Sequence, residues 1–374
     1  MKFRLSLLKN PVNKKGLKTN RLNFLVILVI AMSLVVLGGC AKKPSTDKDA
    51  GNNAEENLAE DSDAQYKLLY NPPAGGSPEN IGKIVFASDP GGTTGADYDL
   101  YTINPDGSNK VKLTTFGKYI DHPVWSPEYS RIAYSAHVDE GNTDKIFIMT
   151  ADGKETKQLT FGDGRDKFPT WSPDGKQIAY ISYRDNIPNL FVMDTYGKNT
   201  KQLTFVEGKN TVLWPSWSPV SDVIAFSYNK AGDEIDFRLH TIKADGTGER
   251  EILSSDDPDL GDHDSAWSPD GNIIYFISNR TSHLEIWKVN YGKLVASNFT
   301  NYNDIDLKQI SNLHGVNTTP DHRPRVSPDG KKIVFYGVGP DWKNIGTNLY
   351  TLNVDGTSLT NITKSIDGNE WPDW

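Results

Sequence analysis

Cysteine is almost absent: Cys40 is the one thiol of the chain. An intramolecular disulfide is thereby excluded, and so is a zinc site built from cysteines. Basic surface is scarce as well. Seven lysines and arginines fall within residues 1–40, which hold no acid, so a net charge of −8 leaves −15 on the remainder. Such an acidic body lacks the cationic footprint that phosphates demand, which excludes nucleic acid as a partner. No Gly-x-Ser-x-Gly elbow occurs, which removes the serine-hydrolase reading, and no glycine loop suited to cradling phosphate is present.

What the amino terminus does hold is a long apolar run. A basic stretch leads into L-N-F-L-V-I-L-V-I-A-M-S-L-V-V-L-G-G-C at 22–40, the layout of a signal peptide with small residues before the cut. Leu37-Gly38-Gly39-Cys40 resembles the bacterial lipobox, which implies cleavage before Cys40 and lipidation of that cysteine. An uncleaved anchor is the alternative, since the run is almost long enough to span a bilayer. Either reading expects the rest of the chain outside the cytoplasm, tethered to a membrane. Residues 41–66 are polar, acidic and too poor in branched apolar residues to build a core. The expected organisation is a signal peptide at 1–39, the lipidated cysteine with a flexible acidic tether at 40–76, and a folded domain over 77–374.

That folded domain repeats. W-S-P-E-Y-S-R-I-A-Y (125–134), W-S-P-D-G-K-Q-I-A-Y (171–180), W-S-P-V-S-D-V-I-A-F (217–226) and W-S-P-D-G-N-I-I-Y-F (267–276) align, and V-S-P-D-G-K-K-I-V-F (326–335) replaces Trp with Val326. The same spacing leads each time to an isoleucine: Ile132, Ile178, Ile224, Ile274 and Ile333. Ile84-Val85-Phe86 makes a sixth apolar triplet without a preceding Trp. A second strand signal follows every triplet, such as I-F-I-M (146–149) or L-F-V-M (190–193). Most units then carry an Asp-Gly turn suited to a tight hairpin, and a short third strand such as Q-L-T (158–160) closes the unit. With the Pro-x-Trp segment, each unit has four strands, which predicts an all-β, six-bladed β-propeller of four-stranded antiparallel blades. The first unit lacks its Pro-x-Trp strand, while Trp371-Pro372-Asp373-Trp374 has nothing after it. Together they predict one blade shared between the two ends, a clasp that closes the ring.

The unit W-S-P-D-G…I-A-Y…D-G…Q-L-T resembles the WD-like repeat of the TolB family, also found in prolyl oligopeptidase propellers, over residues 77–374. The α/β domain that precedes the propeller in TolB has no counterpart in the short tether. The resemblance implies a binding propeller. Oligogalacturonate lyases have propellers that look similar, and in them a metal site does the chemistry.

Strand topology predicts where a ligand would bind. The loops between the second and third strands of a blade (b–c loops), 88–98, 137–144, 228–236 and 337–348, are longer and more varied than the Asp-Gly turns, and variable loops on a rigid scaffold usually carry binding. The inner strand of each blade begins on the same face. The segments before each Trp therefore predict a ring at one channel mouth: Asp121, His122, Asp166, Lys167, Asp262, His263, Asp264, Asp321, His322, Arg323 and Glu370, with Trp214 and Trp371 as aromatic surface. Each aspartate could instead bond turn backbone. The recurring Trp125, Trp171, Trp217, Trp267 and Trp374 are expected between blades, and Trp287 and His240 in the core. His122, His263 and His322 each follow an aspartate and start an inner strand, a set that could take a divalent metal. The acidic stretch 255–264 could hold calcium or meet a basic partner, although a solvated loop is the plainer reading. An insertion at 293–305 is expected on the opposite face, as a private contact surface or a tolerated elaboration.

The reading that follows is a monomeric propeller on a membrane anchor. It is non-enzymatic, needs no cofactor, and binds an envelope protein or a polysaccharide such as peptidoglycan. The alternative is a metal-dependent polysaccharide lyase or hydrolase using the histidine and aspartate ring.

Overall fold

Each apolar triplet sits at the centre of an antiparallel sheet in the computed structural model. It describes residues 77–90, 98–115, 119–138, 143–230, 237–253, 260–281, 283–296, 302–312, 319–338, 347–365 and 367–374. Six four-stranded sheets result. Blade 2 runs β4 (Ile120–Trp125), β5 (Arg131–His137), β6 (Asp144–Thr150) and β7 (Thr156–Gln158). Blade 3 has β8 (Asp166–Trp171), β9 (Gln177–Arg184), β10 (Ile187–Asp194) and β11 (Lys201–Gln202). Blade 4 has β12 (Thr211–Trp217), β13 (Val223–Asn229), β14 (Phe237–Lys243) and β15 (Arg250–Glu251). Blade 5 has β16 (Asp262–Trp267), β17 (Ile273–Ser278), β18 (Glu285–Asn290) and β19 (Lys308–Gln309). Blade 6 has β20 (Thr319–Val326), β21 (Lys332–Val338), β22 (Thr347–Asn353) and β23 (Thr360–Asn361).

Blade 1 is the shared one. Its order is β24 (Gly368–Asp373), β1 (Ile84–Asp89), β2 (Asp99–Ile103) and β3 (Val111–Lys112), so the last strand of the chain pairs with the first. Val85 faces Asp373 and Ser88 faces Asn369, whose side chains also bond at 2.9 Å. Trp374 is buried and its indole N–H donates to the Gly82 carbonyl at 2.8 Å. The six inner strands contact one another in a closed circle, β24 to β4, β8, β12, β16, β20 and back. The edge strands that remain, at the rim, are two or three residues long, too short to template aggregation.

The core is divided among the blade interfaces. Ile148 and Leu159 of blade 2, for example, pack with Trp171, Ile178 and Met193 of blade 3. Three of the recurring tryptophans rivet one blade to the one before: Trp125 donates to Lys83 O, Trp171 to Val124 O and Trp267 to Ser216 O. Trp217 bonds instead within its own turn, to Ser221 O. His240 and Trp287 are half-buried rather than core, because each lies on the third strand toward the rim.

The third-strand pattern Q-L-T pairs earlier than the sequence suggests. Lys157-Gln158 and Lys201-Gln202 form the ladder, and the following threonine leaves it. Its hydroxyl accepts the next free strand amide, Ile146 N–H to Thr160 at 3.0 Å and Leu190 N–H to Thr204 at 2.9 Å. A side chain thus completes the ladder where the backbone turns away. The insertion between β18 and β19 of blade 5 folds into a short helix, α1 (Tyr291–Ala296), and a 3-10 turn at Tyr302–Ile305. Leu294 and Ile305 are buried in the apolar cluster of that blade, so the segment extends the core.

Candidate binding face at the channel

All six inner strands break register three residues before their Trp, or before Val326 in blade 6. Six side chains occupy the break, one per blade, and all have left-handed backbone: His122 (φ 54°), Phe168 (59°), Trp214 (50°), Asp264 (54°), Arg323 (61°) and Trp371 (50°). None is glycine. Five precede a proline, a setting that favours extended backbone, and bulky residues at positive φ cost about 1–3 kcal/mol each. Proline inside a strand marks a bulge, and a bulge re-aims a side chain. Here it turns one residue per blade toward its equivalents in the neighbouring blades.

The result is a belt across the centre of the ring. His122 stacks on Trp371 with centroids 5.0 Å apart and meets Phe168 edge-on at 4.4 Å. Phe168 faces Trp214 at 6.4 Å, and Trp214 in turn lies 5.4 Å from His263. Tyr98 and Tyr119 extend the aromatic arc on one side, packing on Trp371 at 5.1 and 5.8 Å, and Phe237 extends it on the other, 5.0 Å from Trp214. Tyr119, Trp214, Phe237 and Trp371 stay partly exposed, beside the partly exposed Glu370.

Under the arc lies an ion network between blades 2 and 3. Lys167 Nζ sits 2.6 Å from Asp121 Oδ2, and His122 Nδ1 sits 2.9 Å from Asp121 Oδ1. Asp144 gathers Arg165 at 2.9 Å, His137 at 3.1 Å and Lys167 at 3.7 Å. Lys145 is fully buried, donating to Gly164 O at 2.6 Å and pairing with Asp166 at 3.3 Å. Burial opposes ionisation of Asp121, but His122 and Lys167 outweigh it and hold the carboxyl well below the usual range. Burial, joined by Arg323 and Lys167, pushes the His122 imidazole down to about 4, against the pull of Asp121. Burial raises the carboxyl of Asp262 despite its contact with Arg280.

The residues expected at the mouth thus separate into groups. Asp121, His122, Lys167 and Trp371 come together. Asp166 turns to Lys145, Asp262 to Arg280, and His263 to the rings of Trp214 and Phe237. Asp264 and Arg323 are belt residues, and Trp214 and Glu370 line its partly open side. Asp121, Asp166 and Asp262 engage side-chain cations rather than the turn backbone. Asp321 and His322 lie on β20, with side chains outside the described residues. His122 and His263 stand on blades 2 and 5, opposite each other in a ring of six. Among the described residues no group of three or more His, Cys, Asp or Glu is arranged to hold a metal ion. Residues 255–259 of the acidic stretch 255–264, the central parts of the long b–c loops, and Cys40 fall outside the described residues. Sequence reasoning missed Phe168, which occupies the slot of His122 and Trp214 in its own repeat, and Asp144, which only the adjacent blade reveals as a hub.

Residues 135–289 match the TolB beta propeller domain. The ring is a TolB-like β-propeller. TolB from Acinetobacter baumannii superposes with a TM-score of 0.62 at 18% identity, over 87% of this chain and 74% of that one. A putative TolB from Agrobacterium tumefaciens gives 0.56 at 16% identity, over 75% of this chain and 88% of that one. An uncharacterized protein of Agrobacterium fabrum is 26% identical over 168 residues, 43% of this chain. The match spans 50% of the length of that curated relative. Among the described residues no helix of this TolB-like chain is long and apolar enough to cross a membrane.

Proposed function

We propose that the chain is an extracytoplasmic lipoprotein whose TolB-like propeller is a non-enzymatic binding module. It engages an envelope protein, or an envelope polymer in its place, through the aromatic arc at the channel. The observation that carries this reading is the belt itself. Six strained non-glycine residues are held at one level of the ring, and strain of this kind collects where a scaffold presents side chains for use. Trp214 and Trp371, partly exposed, supply rigid amphipathic surface of the sort that anchors interfaces. The TolB-like fold supports a binding or scaffold role. No described cluster favours the metal-dependent lyase expected as the alternative.

Photo-crosslinking in intact envelopes tests the reading. A photoreactive phenylalanine at Trp214 is expected to capture a discrete partner, and the same probe at Tyr196, on the turn of the opposite face, is expected to capture none. Equal capture at both positions would overturn it. Replacing Cys40 with serine is expected to release the protein from membranes in the same cells, and retention in the membrane fraction would sink the lipoprotein assignment.

A further inference from the structure

Blades 5 and 6 depart from the aromatic rule of the belt. Their two residues are Asp264 and Arg323, and the residue after Asp264 is Ser265, where the other five strands have proline. Arg323 is 3% exposed and Ser265 is 1% exposed. Nε and Nη1 of Arg323 and the hydroxyl of Ser265 are buried without a hydrogen-bond partner. Three buried donors on adjacent strands are thereby left unsatisfied, each at a cost of about 1–3 kcal/mol. The neighbouring charges do not relieve them. Arg325 is engaged by Asp373 at 3.3 Å and by the Pro324 carbonyl at 2.8 Å. Asp373 is itself taken up by the Trp125 amide at 2.8 Å. Burial and the charge of Arg325 hold the Arg323 guanidinium down, to about 10, against the opposing pull of Asp264 and Asp373. Asp264 and Asp373 thus supply counter-charge from a distance, while Nε and Nη1 still lack an acceptor.

We propose that Arg323, with Ser265, is a binding site for an oxyanion, the carboxylate of a ligand that enters the channel. The proposal rests on the channel-binding reading and names the group that is recognised. Charge-assisted hydrogen bonds from a desolvated guanidinium are among the strongest available to a protein. A carboxylate fills the unsatisfied donors and leaves the aromatic arc from Trp371 to Trp214 to hold the remainder of the ligand. A nucleic acid phosphate is disfavoured by the acidic body.

Thermal unfolding of the full chain in detergent tests the site without a partner. The probes are sodium acetate and inorganic phosphate against sodium chloride at equal ionic strength. Acetate at about ten times its Kd is expected to raise Tm by about 2 °C. The shift is expected to vanish in Arg323→Gln and to shrink at least twofold in Ser265→Ala. A response to phosphate equal to that to acetate would assign the nook to free phosphate and overturn the carboxylate. The absence of any acetate response, or an equal one in wild type and Arg323→Gln, would mean that ordered water fills the nook and would overturn the site. If Arg323→Gln fails to fold, Ser265→Ala decides, since it removes one hydroxyl: an unaltered acetate shift then overturns the proposal. Crosslinking from Trp214 reads the channel face whatever acetate does, so the two failures are separable.

Discussion

His122 is neutral at pH 7 because desolvation and two nearby cations, Arg323 and Lys167, outweigh the pull of Asp121. In the unfolded chain the same imidazole has its ordinary value of 6.5, and in the fold it falls to about 4. Below pH 6.5 the unfolded chain therefore takes up a proton that the fold refuses until about pH 4, so stability declines as pH falls through that window. At pH 5 the loss from this one group is about 2 kcal/mol. Asp121 shifts in the same direction but titrates below the window, whereas the raised carboxyls of Asp262 and Asp373 contribute with the opposite sign. The contributions of Asp262 and Asp373 cancel when wild type is compared with His122→Asn, which keeps a residue tolerant of left-handed backbone, and Lys167 still holds Asp121 ionised. Urea titrations at pH 7 and pH 5 are expected to show a pH penalty smaller by about 2 kcal/mol in the variant. Parallel penalties would show that His122 is charged in the fold.

Among the elements, the hairpins between third and fourth strands, with Asp152-Gly153 and Tyr196-Gly197, have a second duty beyond turning the chain. A Cβ added at Gly197 would stand 2.3 Å from the carbonyl oxygen of Leu159 on the preceding blade, and one at Gly153 would stand 2.4 Å from that of Leu113. The missing side chain is what lets one blade seat on the last. Gly162 has a similar φ of 78° but open space around it. Gly162→Ala is therefore expected to cost about 1 kcal/mol, the backbone penalty alone. Gly197→Ala is expected to cost at least twice as much by urea unfolding, and equal costs would show that the seat yields. The period of the hairpins was legible in the sequence, since Ile-Ala-Tyr triplets and Asp-Gly pairs recur at fixed spacing. The bulges were half legible: Pro123, Pro169, Pro215, Pro324 and Pro372 sit where a ladder cannot continue. Their consequence was not, because the side chain that a bulge redirects meets partners on other blades. The same limit hid the ion network. Asp121 and Lys167 are separate repeats in the sequence, and only the ring brings them to 2.6 Å.

For the molecule as a whole, the clasp is the feature on which cooperativity depends. Deleting 371–374 removes Trp374 from its pocket against Gly82, Asp373 from Trp125 and Arg325, and Trp371 from the belt. Loss of a single large buried aromatic costs about 3–5 kcal/mol, and here an edge strand is opened as well. The expected result is a lower denaturation midpoint and a broadened transition, followed by tryptophan emission and far-ultraviolet circular dichroism. Coincident curves for the deletion and the wild type would show that the ring closes without them.

Ser88 and Asn369, bonded across blade 1, are 281 residues apart in the chain. A strand pair of that separation pays a large loop-closure entropy and forms late. Synthesis proceeds from the amino terminus, so β1 has to wait, its inner edge unpaired, until β24 has emerged. Blades 2 to 6 can assemble in order, but the ring stays an open arc until β24 arrives and only then becomes a closed object.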